Sequence, residues 1–135
     1  MLVSVALAGG LQTDLSPGTI VLVESALRDE GTSHHYLAPG VEVTADASLT
    51  ASIVSSLSRR GLRHHVGRTW STDAPYRETR EEAIQYEADG VLSVDMEMAA
   101  LFAVAKTRDV AAAGVLVIGD SLAGGGALGL VSRYP

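Results

Sequence analysis

The chain has 135 residues, of which 47% are hydrophobic, and 10 basic against 16 acidic side chains give it a formal net charge of −6. This length and apolar content suffice for one domain with a real core, and the net negative charge, without a basic stripe or Lys-rich tail, argues against a nucleic-acid or membrane surface. Because cysteine is absent, a disulfide framework, a thiolate metal site and a cysteine nucleophile are excluded. The opening MLVSVALAGG lacks a basic segment, and no apolar run has the length of a membrane span, so we expect a cytoplasmic protein.

The N-terminal part of the chain predicts two strands and a long loop. The apolar run Leu2 to Leu7 predicts a first strand, and the turn Ser16-Pro17-Gly18 leads into a second strand, Thr19 to Glu24. Arg28 to Val41 contains glycine and proline among polar residues and shows no sustained period. We therefore expect a long loop there, and long loops in compact domains are often functional.

The middle of the chain predicts a helix, a strand and a second helix. The first helix is expected over Asp46 to Arg60, with the aspartate as its N-cap and Gly61 at the C′ position. His64 to Trp70 predicts a strand, although its alternation is imperfect. Thr79 to Glu82 fits a capping box that opens a helix ending near Asp89-Gly90.

A strand-to-helix junction follows in Val91 to Ala105, VLSVDMEMAALFAVA. Its first residues suit a short buried strand, and apolar residues from Met98 onward recur at i, i+3, i+4 and i+7, as on one face of a helix. The period changes at Asp95, which can serve as the helix N-cap. Val115 to Ile118 predicts the last strand, and a Gly-rich loop follows it.

The alternation of strands and helices predicts an α/β fold with three layers, in which a mixed, mostly parallel central sheet is flanked by helices. Because no internal repeat, linker or second domain is evident, residues 1–135 are expected to form a single domain.

Two acids, Asp95 and Glu97, lie at the strand-to-helix junction. A carboxylate there can point into a pocket at the end of the strand, as ligand-binding groups do in α/β proteins. The structural alternative is that both acids only cap the helix and complement its dipole.

Two further patterns resemble functional motifs without meeting their requirements. The sequence GDSLA at residues 119–123 approaches a nucleophile elbow, but its fifth residue is Ala123, and no histidine follows Ser121 to complete a triad. The pairs His34-His35 and His64-His65 are poor chelators, because adjacent residues on a strand point to opposite faces. We expect no metal site.

Five segments of the chain resemble the nucleoside phosphorylase family that includes uridine phosphorylases and hexameric-type purine nucleoside phosphorylases. The V-D-M-E run is the most specific of them, because the family places a Met-Glu pair there to hold the ribose of the nucleoside. The segments stand in family order and cover most of the chain: GGLQTDLSPGTIVLV, LRDEGTSHHYLAPG, HVGRTWSTDAPYRET, GVLSVDMEMAALFAVA and VLVIGDS.

The resemblance implies phosphorolysis of a nucleoside N-glycosidic bond in nucleoside salvage, which yields a free base and a pentose 1-phosphate. It implies a phosphorylase/hydrolase-like fold, N-terminally truncated, in one domain over residues 1–135 that lacks the family's N-terminal portion. No cofactor is expected beyond inorganic phosphate as co-substrate. Homo-oligomers are usual in the family, so self-association is expected as well.

The resemblance also assigns residues to the sugar and to the leaving base. Glu97 matches the ribose-binding glutamate, Met96 packs against the sugar, and Asp95 beside them is a further substrate-binding candidate. A carboxylate suits this role because it accepts charge-assisted hydrogen bonds from two neighbouring hydroxyls. Asp120 matches the aspartate that protonates the departing purine, although Gly119 replaces the serine that precedes it in the family. Asp120 therefore favours a purine substrate.

The segment before the second predicted helix lies where uridine phosphorylases read uracil with a Gln and an Arg. Thr79 falls near the Gln position, while the Arg could be supplied only by Arg80, out of register. Arg77 is a further candidate here. The alternative is that both arginines are ordinary charges at the start of a helix.

The resemblance is weakest on the phosphate side. Aligning the Gly-Gly-Leu-Gln segment places Ser4 at a phosphate-binding Arg and Ala8 at a phosphate-binding Thr, so both ligands are expected to be lost. A site without donors and positive charge cannot desolvate a dianion. Arg28 in the predicted loop is a weak candidate to supply that charge, and the alternative for it is simple solvation.

Three functional interpretations therefore stay open: a nucleoside phosphorylase, a nucleoside hydrolase that uses water in place of phosphate, and a non-catalytic remnant or nucleoside-binding module of a truncated phosphorylase.

Overall fold

The structure, a computed structural model, describes residues 1–125. The strands within this range are β1 Leu2–Gly10, β2 Ile20–Asp29, β3 Val43–Thr44, β4 His64–Thr72, β5 Ser93–Asp95 and β6 Ala112–Ser121. The helices are α1 Ala47–Arg59, α2 Arg80–Ala88 and α3 Met98–Thr107, and short 3-10 segments occupy Thr32–His35, Pro75–Arg77 and Ala123–Gly125.

The strands form a closed five-stranded barrel, so the prediction of a three-layer fold with a helix-flanked central sheet is wrong. In the barrel the order is β2-β4-β5-β1-β6, and β6 pairs back onto β2 from Ile20↔Val117 to Val23↔Gly114. The two-residue strand β3 extends the outside of this arrangement by pairing with β2. Among residues 1–125, three strand pairings are parallel and three are antiparallel, so the sheet is mixed rather than mostly parallel.

Bulges and a buried glycine accompany the closure of this small barrel. The register shifts between Ala8 and Gly9 in β1 and between Val23 and Ser25 in β2, and such bulges bend a strand and increase its twist. Gly114 lies on β6, which is paired on both sides. A Cβ atom at this position would lie 2.6 Å from the Met98 sulfur and 3.2 Å from the Val23 Cβ atom. Only a residue without a side chain therefore fits there without displacement.

The four predicted long strands are confirmed, and each extends further than its apolar pattern. The strand β2 continues to Asp29, so the first two residues of the predicted loop belong to it. The rest of that loop contains the 3-10 segment Thr32–His35. The extensions are possible because backbone pairing with neighbouring strands holds polar residues in the ladder.

The predicted helix ends are confirmed where capping chemistry defines them. The Asp46 carboxylate accepts from the amide of Leu49 at 2.7 Å, and Gly61 adopts a φ of +69° after α1. The capping box of α2 is present between Thr79 and Glu82. Asp95, in contrast, is the last residue of β5 and not the N-cap of α3.

Two clusters of buried side chains form the core. The larger one packs α3 against the barrel, with Met98 and Phe102 among the residues of β2 and β6. The smaller one lies beside α2, where the Trp70 and Tyr86 rings are 4.8 Å apart and the Trp70 indole donates to Asp29 at 2.9 Å. No helix within residues 1–125 combines the length and the apolar character needed to cross a bilayer.

Candidate active site

A groove of about 540 Å³ lies where β1, β5 and β6 end beside the turn that precedes α2. Four of its lining residues carry carboxyl groups, and among residues 1–125 no Lys, Arg or His lines the groove. The lining residues are Leu7, Ala8, Gly9, Pro75, Glu78, Val94, Asp95, Met96, Glu97, Gly119, Asp120 and Leu122. The groove therefore combines acceptor groups with apolar walls.

Glu97 and Met96 reach this groove from the junction between β5 and α3. Both side chains are exposed, and Met96 keeps 45% of its surface accessible. Glu97 occupies the N-cap position of α3, but its side chain makes no capping hydrogen bond. The carboxylate of Glu97 is therefore not engaged in the helix-capping role that was the structural alternative for it.

Asp95 is a buried part of the groove wall that ties three elements together. Its Oδ1 atom accepts from the Ser71 hydroxyl at 2.5 Å and from the Met98 amide at 3.4 Å. The Ser71 hydroxyl oxygen in turn accepts from the amide of Ala99 at 3.0 Å. Asp95 Oδ2 is buried and has no partner within the described residues. Burial raises the pKa of Asp95 to about 6, against the lowering effect of the Ser71 hydrogen bond.

Asp120 is an exposed residue of β6 that pairs with Gly9 of β1. A Cβ atom on Gly9 would lie 3.3 Å from Asp120 Oδ1, 3.0 Å from Val94 and 2.8 Å from Leu122. The absence of a side chain at Gly9 thus leaves room for the Asp120 carboxylate and the apolar wall next to it. Asp120 and Glu97, the two residues matched to separate roles, line the same groove.

Glu78 is a groove residue that the sequence analysis missed. Its side chain is only 9% exposed, although it carries a carboxyl group. Burial, followed by the negative charges of Asp120 and Glu82, raises the pKa of Glu78 to about 7. The sequence carries no signal for this burial, because an acid directly before the N-cap Thr79 is an ordinary charge at the start of a helix.

The two predicted base-reading residues lie outside the groove lining. Arg77 and Thr79 flank Glu78 but are themselves exposed. The Thr79 hydroxyl donates to Glu82 Oε2 at 2.7 Å and accepts from the Glu82 amide at 3.2 Å, so it is occupied in the capping box.

Arg28 organises the loop after β2. Its guanidinium donates to the Ser33 hydroxyl and to the carbonyls of Leu37 and Ala38, each at 2.8 Å, and to the carbonyl of Val41 at 2.9 Å. It is not among the groove-lining residues. Ser4 and Ala8, the two positions aligned with lost phosphate ligands, lie on β1. Ala8 lines the groove, whereas Ser4 is half-buried and pairs with Gly114 of β6.

A larger cavity of about 910 Å³ lies at the other ends of β2 and β4. Its walls include Asp14, Arg63, His64 and His65. None of the residues matched to ribose or base lines it. No group of three or more His, Asp or Glu side chains suited to a metal ion is found in the described part of the chain.

The sequence of this chain is similar to those of known proteins. A family model described as the Phosphorylase superfamily matches residues 1–130. A guanosine phosphorylase of Halorubrum lacusprofundi is 28% identical over 117 residues, which are 87% of this chain and 48% of that protein. A uridine phosphorylase of Treponema pallidum is 28% identical over 127 residues, covering 86% of this chain and 49% of the relative. A DeoD-type purine nucleoside phosphorylase of Listeria welshimeri is 31% identical, with coverages of 90% and 52%.

The fold has a counterpart among solved structures. The structure of the P. knowlesi homologue of P. falciparum PNP superposes with a TM-score of 0.83 at 21% identity, and the match covers 89% of this chain and 51% of that one. At this identity the similarity between the two structures concerns the fold alone. The chain spans about half the length of the relatives that it matches.

Proposed function

This chain belongs to the phosphorylase superfamily, and from that premise we propose that it acts in phosphorolysis of a purine nucleoside. The products are a free base and a pentose 1-phosphate. The observation that carries the proposal is that Glu97 and Asp120, from different elements, line one groove with Met96 beside them. The three side chains provide an acceptor for sugar hydroxyls, an acid for the base and an apolar contact for the ring.

The chemistry of the groove fits the demands of glycosidic cleavage. The transition state has oxocarbenium character at the sugar, so the enzyme must hold the ribose and stabilise the departing base. The unengaged carboxylate of Glu97 can accept from two vicinal hydroxyls. Asp120 can deliver a proton to a purine nitrogen, which turns the leaving base into a neutral molecule. Purines and related bases are therefore the proposed substrates.

Hydrolysis is a second candidate, and one observation favours it. In the part of the chain that the structure describes, no basic residue lines the groove, whereas binding a phosphate dianion requires positive charge and donors. Water requires neither. The same ribose and base contacts would then serve a nucleoside hydrolase, with phosphorolysis requiring cationic groups from outside this groove.

Base release from inosine, adenosine and uridine, with and without phosphate, tests these proposals in the purified protein. Release that depends on phosphate supports phosphorolysis, and release without phosphate supports hydrolysis. Asp120→Asn is expected to abolish release, whereas Glu81→Gln, on the exposed surface of α2, serves as the control. No release from any of the three nucleosides contradicts both and supports a binding module or a remnant.

We also propose that the chain self-associates. The outer side of β1 carries apolar residues at alternate positions, Val3, Val5 and Leu7, with exposed fractions of 43%, 69% and 74%. Apolar surface of this kind favours burial against another polypeptide. Sedimentation at several concentrations measures the association, and Val5→Ser, on the same face but outside the groove, is expected to weaken it.

A further inference from the structure

Glu78 and Asp120 bring two carboxyl groups to one groove from separate elements. Glu78 belongs to the turn before α2, and Asp120 lies near the end of β6. Both residues line the groove, and the negative charge of Asp120 acts on the Glu78 carboxyl. The turn before α2 and the end of β6 therefore bring the two carboxyl groups into one neighbourhood.

The other two acids of the groove, Asp95 and Glu97, have roles of their own. Asp95 is tied to Ser71 and to the start of α3 through its Oδ1 atom. Glu97 is exposed at the N-cap of α3 and is matched to the ribose. Glu78 differs from Glu97 because it is buried, and it differs from Asp95 because its carboxyl makes no side-chain hydrogen bond within the described residues.

We propose that Glu78 and Asp120 work as one acid, a carboxyl pair that holds a single proton for the departing base. This inference rests on the proposed cleavage of nucleosides at the same groove. Two neighbouring carboxylates repel each other, so ionising both is costly and the pair keeps one proton to a higher pH than a single exposed carboxyl would. Burial and the charge of Asp120 raise the pKa of Glu78 to about 7, in agreement with such a pair.

The proton balance of the step is simple. The proton of the pair passes to a nitrogen of the base while the bond between C1′ and the base breaks, and the bonding electrons leave with the base. An oxygen of phosphate forms the new bond to C1′. In hydrolysis a water oxygen forms that bond, and the water releases one proton to solvent. The pair is then doubly ionised and recovers one proton from solvent after the base departs. Glu78 acts here by keeping the pair protonated, which makes it a positioning residue for the proton.

A substrate that needs no proton separates this role from a merely structural one. The base of 7-methylguanosine is already cationic and leaves without protonation, whereas inosine requires the proton. For Glu78→Gln at neutral pH, we expect kcat/KM for inosine to fall by roughly tenfold or more, and that for 7-methylguanosine to stay within about twofold. The matched control Glu81→Gln, with its side chain exposed on α2, should change neither.

The changes in kcat/KM on the two substrates show whether Glu78 has the proposed role. An equal loss on both substrates, or no loss on either, overturns the role of Glu78 and leaves the proposed function standing. Failure of the unsubstituted protein to cleave either nucleoside overturns the proposed function itself. In that case ¹³C NMR titration of the Glu78 carboxyl still tests the pair. Its midpoint should lie near 7 and fall in Asp120→Asn, and an unchanged midpoint overturns the pairing.

Discussion

The Ser71 hydroxyl donates to Asp95 Oδ1 and accepts from the Ala99 amide, so one side chain of β4 joins the end of β5 to the first turn of α3. This link fixes the direction in which the chain leaves β5. Met96 and Glu97, which lie between the two joined points, are thereby held at the groove. The sugar side of the candidate site therefore depends on a buried hydrogen bond that no sugar would touch.

Removing the Ser71 hydroxyl should destabilise the fold. In Ser71→Ala the buried Asp95 carboxyl loses its hydroxyl donor and the Ala99 amide loses its acceptor, so we expect a loss of about 1–3 kcal/mol in the free energy of unfolding. Urea denaturation measures it. The control is Ser52→Ala, whose exposed hydroxyl donates to the Ser48 carbonyl and should change stability by less than about 0.5 kcal/mol. Equal effects of the two substitutions would contradict the structural role of the link.

The stability of the protein should depend on the protonation of Glu78. Its pKa is raised from the ordinary 4.5 to about 7, so the unfolded chain releases this proton at lower pH than the folded protein. The folded state therefore loses stability as the pH rises from about 4.5 to about 7.

Glu78→Gln should remove this dependence. When the pH rises from 5 to 8, the free energy of unfolding of the unsubstituted protein should fall by on the order of 2 kcal/mol more than that of the variant. Urea denaturation of both proteins at the two pH values measures this difference. Some dependence should persist in the variant, because the pKa of Asp95 is also raised, to about 6. Parallel pH dependences in the two proteins would show that Glu78 titrates normally.

Arg28 should act on its loop rather than on phosphate. Lysine lacks the planar fork that reaches Ser33 and three carbonyls, so Arg28→Lys should cost about 2 kcal/mol of stability and speed hydrogen exchange in residues 33–41. Arg59→Lys is the control, since the exposed Arg59 donates only to the hydroxyls of Ser55 and Ser56 in its own helix within the described structure. Weakened phosphate binding with unchanged stability in Arg28→Lys would instead support its assignment as a phosphate ligand.

The barrel should tolerate no side chain at Gly114. An added methyl group would meet the buried Met98 sulfur and the Val23 Cβ atom, so Gly114→Ala should lower the free energy of unfolding by about 1–3 kcal/mol. Gly119→Ala provides the contrast, because the nearest atom to its added carbon is the Ala8 carbonyl oxygen at 3.9 Å. Thermal denaturation of both variants measures the difference, and similar melting temperatures would argue against tight packing at Gly114.

Glu97 should contribute to nucleoside binding through its charge. Glu97→Gln keeps the size of the side chain but loses the charge-assisted bonds to vicinal hydroxyls, so we expect inosine to bind roughly tenfold more weakly. Isothermal titration calorimetry measures the affinity, and Glu81→Gln is the matched exposed control on α2. Unchanged affinity in Glu97→Gln would remove Glu97 from the sugar site.

Local chemistry was predictable from the sequence. The N-cap Asp46, the C′ glycine Gly61 and the capping box of Thr79 were all placed correctly, because each depends on residues within one turn of helix. The junction after β5 was found for a similar reason, since the period of apolar residues changes there. Glu97 and Asp120 were candidates because their motifs resemble a known family, and the structure places both residues in one groove.

The tertiary structure alone decided the closure of the sheet and the environment of the acids. The pairing of β2 with β6 closes the barrel, and backbone hydrogen bonds between segments so far apart leave no periodic signal in either strand. Glu78 looks like any acid before a helix until α2 and β6 bury it next to Asp120. A pKa, like the exposure of Glu97 or the engagement of Arg28, is set by what surrounds a side chain, and only the folded chain supplies those surroundings.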